Sequence, residues 1–405
     1  MRPFLRLRYP NLPDRPRNGT PMTQARLGRL LLIVAILLVA VLLRERAIRC
    51  LRTDFDEPVY YEAGLRLADA IRHRDWVALA SDDWHYEHPG LMKMLYAAAF
   101  LRYPYGAYTV PDLPELTELR DLAIPQRTLV FAGRRASMLF GLLTVALVAA
   151  VSPLAGALLA VHTYIIKYTS QIYLEAIPLL ASTVCVLAYM RALEREAAAE
   201  RGGAAWRWWA LSAVALGITA AGKYIYCVAG LAVVADYGWR AAAGRRPRAV
   251  LTLLGWGGLS LLVFYVANNQ LWLDPIGRLA ASLRFHVAYP SSLIVRSAGF
   301  PWNQPLIWLY RPMPSLWHPG VFLFSPDGLT AALGMLGSWP TWRAWGGRGR
   351  VVVLWWVIGL AVLLLWPTKW PQYTLIIIVP LCLSAAEALR AGGRALRARG
   401  ILRVT

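Results

Sequence analysis

Three carboxylates fall within four residues at Asp54-Phe55-Asp56-Glu57, ahead of Pro58 and the run Tyr60-Tyr61-Glu62. An ionised carboxylate can take the proton of an attacking hydroxyl, and three together exceed what capping one helix needs. Acidic residues before a proline also suit the positive N-terminal end of a helix, so a cap remains the alternative for any one of them. The apolar run Val59, Leu65, Leu67, Ala68 and Ile71 predicts that this helix lies along a membrane surface. A second group is Tyr86-Glu87-His88-Pro89-Gly90-Leu91, leading into a short apolar helix over 92–100. His85 and His88 with Glu87 are a possible metal set, but Pro89 breaks the helix that would align them. Glu175 stands alone in a run that turns and re-enters apolar sequence. A carboxylate at such depth is costly; it is either functional or neutralised by Lys167 or Arg135.

Lysine is the scarce basic residue. Only four of the 43 Lys+Arg residues are lysine: Lys93, Lys167, Lys223 and Lys369. Three sit beside an aromatic: Tyr168, Tyr224 and Trp370. A lysine ammonium is a compact point charge suited to phosphate, which makes these four candidates for phosphate contacts. A later segment holds Trp272, Asp274, Arg284, His286, Tyr289 and Pro301-Trp302-Asn303-Gln304-Pro305. Its aromatics are read either as an interfacial belt or as platforms for sugar rings, with Trp302 the candidate of the second kind.

The elements that must position these residues are set by an apolar chain. Of 405 residues, 58% are hydrophobic and 16% charged, at a mean hydropathy of +0.43. Soluble domains carry about 25% charged residues, so the composition indicates an all-α integral membrane body. A spanning helix takes ~20 apolar residues. Runs at 27–43, 128–150, 153–170, 173–190, 208–222, 224–239, 249–270, 319–339, 351–366 and 371–389 predict about ten spans. Residues 1–20 and Pro21 to Arg29 read as disordered, and the first run reads as an uncleaved anchor. The four cysteines have neither disulfide nor metal spacing.

The net charge of +20 does not indicate nucleic acid, because the arginines fall in short blocks between apolar runs. With a cytoplasmic N-terminus, the blocks 1–26, 191–207, 240–248, 342–350 and 390–405 all lie inside. The tails 1–26 and 390–405 then flank a membrane body over 27–389, with anionic membrane lipids as partners of the arginines. Two long loops, 44–127 and 271–318, are left outside. Fourteen of the 23 acidic residues lie between Glu45 and Asp121, in the first of them. All four lysines fall on the same side.

The order of these landmarks resembles the polyprenyl-phosphate-sugar glycosyltransferases of the GT-C architecture, in the family-39-like group of protein O-mannosyltransferases and lipid A aminoarabinose transferases. The residues that carry the resemblance are Asp56-Glu57, Glu87-His88-Pro89-Gly90-Leu91, Arg134/Arg135, Glu175, and Lys369 with Tyr373. It implies a GT-C-like helical bundle with juxtamembrane helices in the first outer loop. It also implies a multi-pass plasma-membrane enzyme that moves a sugar from a polyprenyl-phosphate donor to a lipid, glycan or protein acceptor on the outer face, with inversion. By position, Asp56 is the expected catalytic aspartate, with Glu57 and Glu175 the assisting carboxylates. His88, Lys93, Lys167, Lys223, Lys369 and Tyr373 are expected at the donor phosphate; Tyr60, Tyr61, Glu87 and Trp302 are expected at the substrate. Gly90 departs from the family's second proline, and Glu175 stands where many relatives have Asp. A monophosphate donor gives little reason for an essential metal, so no cofactor is required, with a divalent cation the one open alternative. The rival reading is a lipid transporter or flippase, which predicts inverted repeats and midplane charges. Neither is evident in the sequence.

Overall fold

The computed structural model describes residues 24–81, 84–106, 109–197, 205–244 and 249–399. The terminal stretches 1–23 and 400–405 lie outside the described residues, as do Arg201, Arg245, Arg246, Arg248 and Arg403 of the basic blocks. Helix α1 (Gln24–Cys50) begins inside the segment expected to be disordered and runs past the apolar stretch that marked it. Leu31, Leu38 and Leu42 are exposed on it, as befits a lipid-facing surface. The first loop then folds into α2 (Glu57–Arg72), α3 (Trp76–Ser81) and α4 (Leu91–Phe100). The juxtamembrane helix expected after Pro58 is α2.

Helix α5 (Ile124–Val151) starts with Pro125 in its first turn. The apolar run at 153–170 is not one span. It forms α6 (Pro153–Val161) and α7 (Thr163–Tyr168), broken at an extended His162. The break is held from outside: the Thr163 amide donates to Asp327 at 3.0 Å, and the Thr163 hydroxyl donates to the same carboxylate. Next come α8 (Ala176–Ala197), α9 (Ala205–Gly222), α10 (Val228–Gly244) and α11 (Ala249–Ala267). The second long loop carries α12 (Pro275–Ala288), α13 (Leu293–Ala298), α14 (Gln304–Tyr310) and α15 (Met313–Trp317).

The expected span at 319–339 is also interrupted, into α16 (Asp327–Leu336) and α17 (Ser338–Trp345). Gly337 sits at the joint, where a side chain would strike the Ser384 carbonyl. The chain closes with α18 (Gly347–Leu365) and α19 (Leu375–Ala398). Among the described residues, six helices are long and apolar enough to cross a membrane: α1, α5, α8, α11, α18 and α19. Short and broken helices account for the other expected spans. No strand occurs among the described residues.

Two apolar cores matter for the site. The larger joins α6, α8, α10, α18 and α19 around Trp355, Tyr189 and Tyr164. The smaller joins α2 and α4 to α5 through Tyr61, Leu65, Met92, Phe100 and Leu129. The second core makes the outer loop a packed layer on the bundle, so residues of α2 are placed as rigidly as those of a span.

Candidate active site

The loop after α1 is fixed from below by a buried arginine. Arg134, fully buried on α5, donates to the carbonyls of Ile48 at 2.9 Å, Leu51 at 2.7 Å and Arg52 at 3.0 Å. It also pairs with both Glu57 oxygens, at 2.9 and 2.6 Å. Glu57 accepts three more hydrogen bonds, from the amides of Asp54 (3.2 Å) and Ile172 (2.8 Å) and the side chain of Gln171 (3.3 Å). With both oxygens saturated and no exposure, Glu57 holds the loop and the turn before α8 together. It has no free lone pair directed at a reactant.

Asp56 is placed by that lock but is not consumed by it. It occupies the N-cap position of α2, yet its side chain caps nothing. Its carboxylate accepts one side-chain hydrogen bond, from Gln372 at 3.3 Å. Burial raises its acidity constant to about 6; Lys223 opposes that rise, while Glu175 and Asp54 add to it. A carboxylate with such a value is ionised near neutrality and still basic enough to take a proton.

Opposite it lies a second pair. Lys223, in an extended residue after α9, donates to Glu175 Oε1 at 2.5 Å and faces the ring of Tyr373 at 5.2 Å from its centroid. Glu175 is fully buried, and its Oε2 has no hydrogen-bond partner among the described residues. The partner is therefore neither Lys167 nor Arg135. Arg135 reaches Glu45 at 3.6 Å instead, and Lys167 pairs with Asp54. Lys167 also donates to Gln171 at 3.1 Å and lies 4.5 Å from the Tyr168 centroid and 5.5 Å from that of Tyr173. Although burial favours the protonated form of Asp54, Lys167 holds its acidity constant below the usual value. Two carboxylates of one sequence cluster thus titrate apart: Asp54 is a fixed anion and Asp56 an adjustable one.

The segment 84–90 closes another side. His88 packs near Tyr60, with centroids 6.1 Å apart, and near His286 of α12, at 5.7 Å. Burial, then Lys223 and His286, push its acidity constant well below the ordinary histidine range. That shift favours the neutral imidazole of His88. The Glu87 carboxylate meets His85 Nδ1 at 2.9 Å, while its carbonyl accepts from Ser282 and His286. Its role is to join the two outer loops. Lys93 of α4 donates to the carbonyls of Trp84 and His85, both at 2.7 Å, and so shapes this segment. Gly90 donates its amide to Asn268, and a side chain there would collide with Asn269, which accounts for glycine at this point. Among the described residues, no group of three His, Cys, Asp or Glu comes together that could hold a metal ion.

Two further expected positions are Lys369 and Trp302. The Lys369 ammonium donates to the carbonyls of Leu363 and Leu364 (2.8 Å each) and Trp366 (2.5 Å). These are the carbonyls left open at the end of α18, so Lys369 is a helix cap with its three protons engaged. Trp302 is 69% exposed in the turn before α14. Tyr60 and Tyr61 point apart: Tyr60 toward His88 and Tyr173, Tyr61 toward Phe100. Gln372 was missed by sequence reasoning. Its position between Lys369 and Tyr373 was the available signal.

The helical membrane body matches solved structures of the GT-C fold. No protein-family model and no curated protein matches the sequence. Among solved structures, ArnT from Cupriavidus metallidurans superposes over 93% of this chain, at a TM-score of 0.54 and 17% identity. The same protein bound to undecaprenyl phosphate gives 0.52 at 16% identity over 92%. The archaeal oligosaccharyltransferase AglB from Archaeoglobus fulgidus, in complex with an inhibitory peptide and a dolichol-phosphate, gives 0.55 at 12% identity over 94%. The chain spans 63% of the length of ArnT and 53% of that of AglB.

Proposed function

We propose that the chain is a membrane glycosyltransferase that moves a sugar from a polyprenyl-phosphate donor to an acceptor hydroxyl on the outer face of the membrane. The observation that carries this reading is Asp56: a half-buried carboxylate with one amide contact and an acidity constant near 6, flanked by two buried lysines. The ArnT and AglB structures with bound lipid phosphates support the kind of donor.

In the proposed reaction the acceptor oxygen attacks the anomeric carbon while Asp56 takes its proton. The bond from that carbon to the phosphate oxygen breaks, and both its electrons leave with the polyprenyl phosphate. Attack from the side opposite the phosphate inverts the anomeric centre. As the phosphate gains a negative charge, Asp56 loses one by protonation, so the charge of the pocket is unchanged across the step. Lys223 and Lys167 stabilise the departing phosphate as point charges, each loosening its present carboxylate contact. The unpartnered Glu175 oxygen orients the acceptor or meets positive charge developing on the sugar ring. Glu57 acts as a positioning residue through the turn it locks.

The test uses membranes containing the full chain, incubated with radiolabelled polyprenyl-phosphate sugars. Label should pass to a lipid, glycan or protein product with the wild type and not with Asp56→Asn at equal membrane content. Equal transfer by both would remove Asp56 as the base. Donor-dependent translocation without covalent transfer would replace the enzyme by a transporter.

A further inference from the structure

The two adjacent tyrosines of α2 serve different places. Tyr61 lines an open pocket of about 200 Å³, with Pro58, Glu62, Leu65 and Arg66 of the α2 segment on one side and Val110, Pro111, Asp112 and Leu113 on the other; Arg66, Pro111 and Asp112 are exposed. Tyr61 is 1% exposed, and its hydroxyl has no hydrogen-bond partner among the described residues. A buried hydroxyl left unpaired is costly, so its presence calls for a ligand or water to complete it. The Asp112 carboxylate acts on this hydroxyl from the facing wall. Glu62 is bound by Arg66 at 2.7 Å, and the Arg66 guanidinium stacks 4.1 Å from the Trp84 centroid. That leaves Asp112 as the unbalanced charge of the pocket.

Size and chemistry select the occupant. An engineered 150 Å³ cavity holds benzene, so about 200 Å³ has room for one six-membered ring with substituents. The walls alternate between apolar faces and hydrogen-bonding groups of both kinds: carboxylate, phenol and guanidinium. An anionic ligand would meet Asp112 unopposed, and a purely apolar one would strand the polar groups. A ring with apolar faces and a rim of hydroxyls satisfies both.

We propose that this cavity is a second carbohydrate site, which binds one neutral sugar residue through Tyr61 and Asp112. Pro58 of its wall lies two residues from Asp56, on the same helix. In the proposed transferase, such a sugar is part of an extended acceptor. That acceptor role rests on the proposed transferase activity; the binding itself does not.

The full chain in detergent is titrated with mannose, glucose, galactose and N-acetylglucosamine, and with their β-linked trisaccharides. Saturation-transfer NMR and calorimetry report binding. At least one sugar should bind saturably, more tightly as a trisaccharide than as a monosaccharide. Tyr61→Phe should weaken it about three- to tenfold, the worth of one neutral hydrogen bond. Asp112→Asn should weaken it as well, and Asp56→Asn should leave it unchanged. Tyr61→Phe removes a hydroxyl with no protein partner, so an unchanged melting temperature shows that the loss is local. Binding lost in Asp56→Asn but retained in Tyr61→Phe would place the sugar at the carboxylate–lysine cluster and overturn the proposal. So would the absence of saturable binding by any of these sugars. Failed transfer with normal Tyr61-dependent binding would instead defeat only the transferase reading.

Discussion

Among the single residues, Asp56 joins a raised acidity constant to an uncommitted carboxylate, and its substitution has opposed effects. In the unfolded chain Asp56 titrates near the ordinary aspartate value; in the folded chain it titrates near 6. Between those values the native state holds a proton that the unfolded state has lost. Stability therefore falls as pH rises through this window, by no more than about 3 kcal/mol. Asp56→Asn should remove that penalty, leaving the melting temperature in detergent unchanged or higher at pH 7. The same change should lower transfer by about 10²–10⁴-fold, the worth of a general base. In the wild type, kcat/KM for transfer should rise with pH through an inflection near 6, an inflection absent from lipid-phosphate binding. The lysines divide in the same way. Lys223→Met should weaken donor use. Lys369→Ala should lower the melting temperature with no change in donor KM, since its ammonium holds the end of α18. The sequence marks all four lysines by rarity, but rarity carries no direction. Whether an ammonium faces a carboxylate or a helix end depends on where α18 stops. Gln372 has only its place between Lys369 and Tyr373 to mark it: a lone amide has no charge to betray it, and its meaning comes from Asp56, 316 residues away.

Among the elements, the outer helices were the most readable and the broken spans the least. Pro58 and the spacing of Leu65, Leu67, Ala68 and Ile71 place α2 within two residues of its observed start. The runs at 153–170 and 319–339 are apolar enough for one helix each, and nothing local in them shows where they fold back. The causes are distant: Asp327 takes the Thr163 amide and hydroxyl at one break, and the close approach of Gly337 to Ser384 sets the other. The link between α1, α2 and α5 is electrostatic. Removing one partner of a buried ion pair costs about 3–5 kcal/mol, since the other charge remains unpaired. Arg134→Gln and Glu57→Gln should each destabilise by that order in thermal unfolding of the detergent-solubilised protein. The double change should cost less than the sum of the two. Gly90→Ala should separate the 84–90 segment from Asn268 and Asn269, read as faster proteolysis of the first outer loop.

For the whole molecule, the arginine blocks and the acidic loop predict opposite sides of the membrane. Asp75→Cys in a Cys50→Ser background should be labelled by an impermeant maleimide in intact cells, whereas Arg348→Cys should require permeabilisation. The reverse pattern would place the carboxylate–lysine cluster inside. The buried pairing of Arg134 with Glu57 also bears on how such a chain is built. A permanent cation cannot rest alone among lipid tails, and its counter-charge lies 77 residues earlier, beyond the first helix and at the head of the folded loop. The hairpin of α1 and α5 is thus complete only after the intervening polar layer has docked on it. Docking of the loop and burial of Arg134 are therefore expected to occur together, and a chain with a misassembled loop to leave a charged, unsealed span.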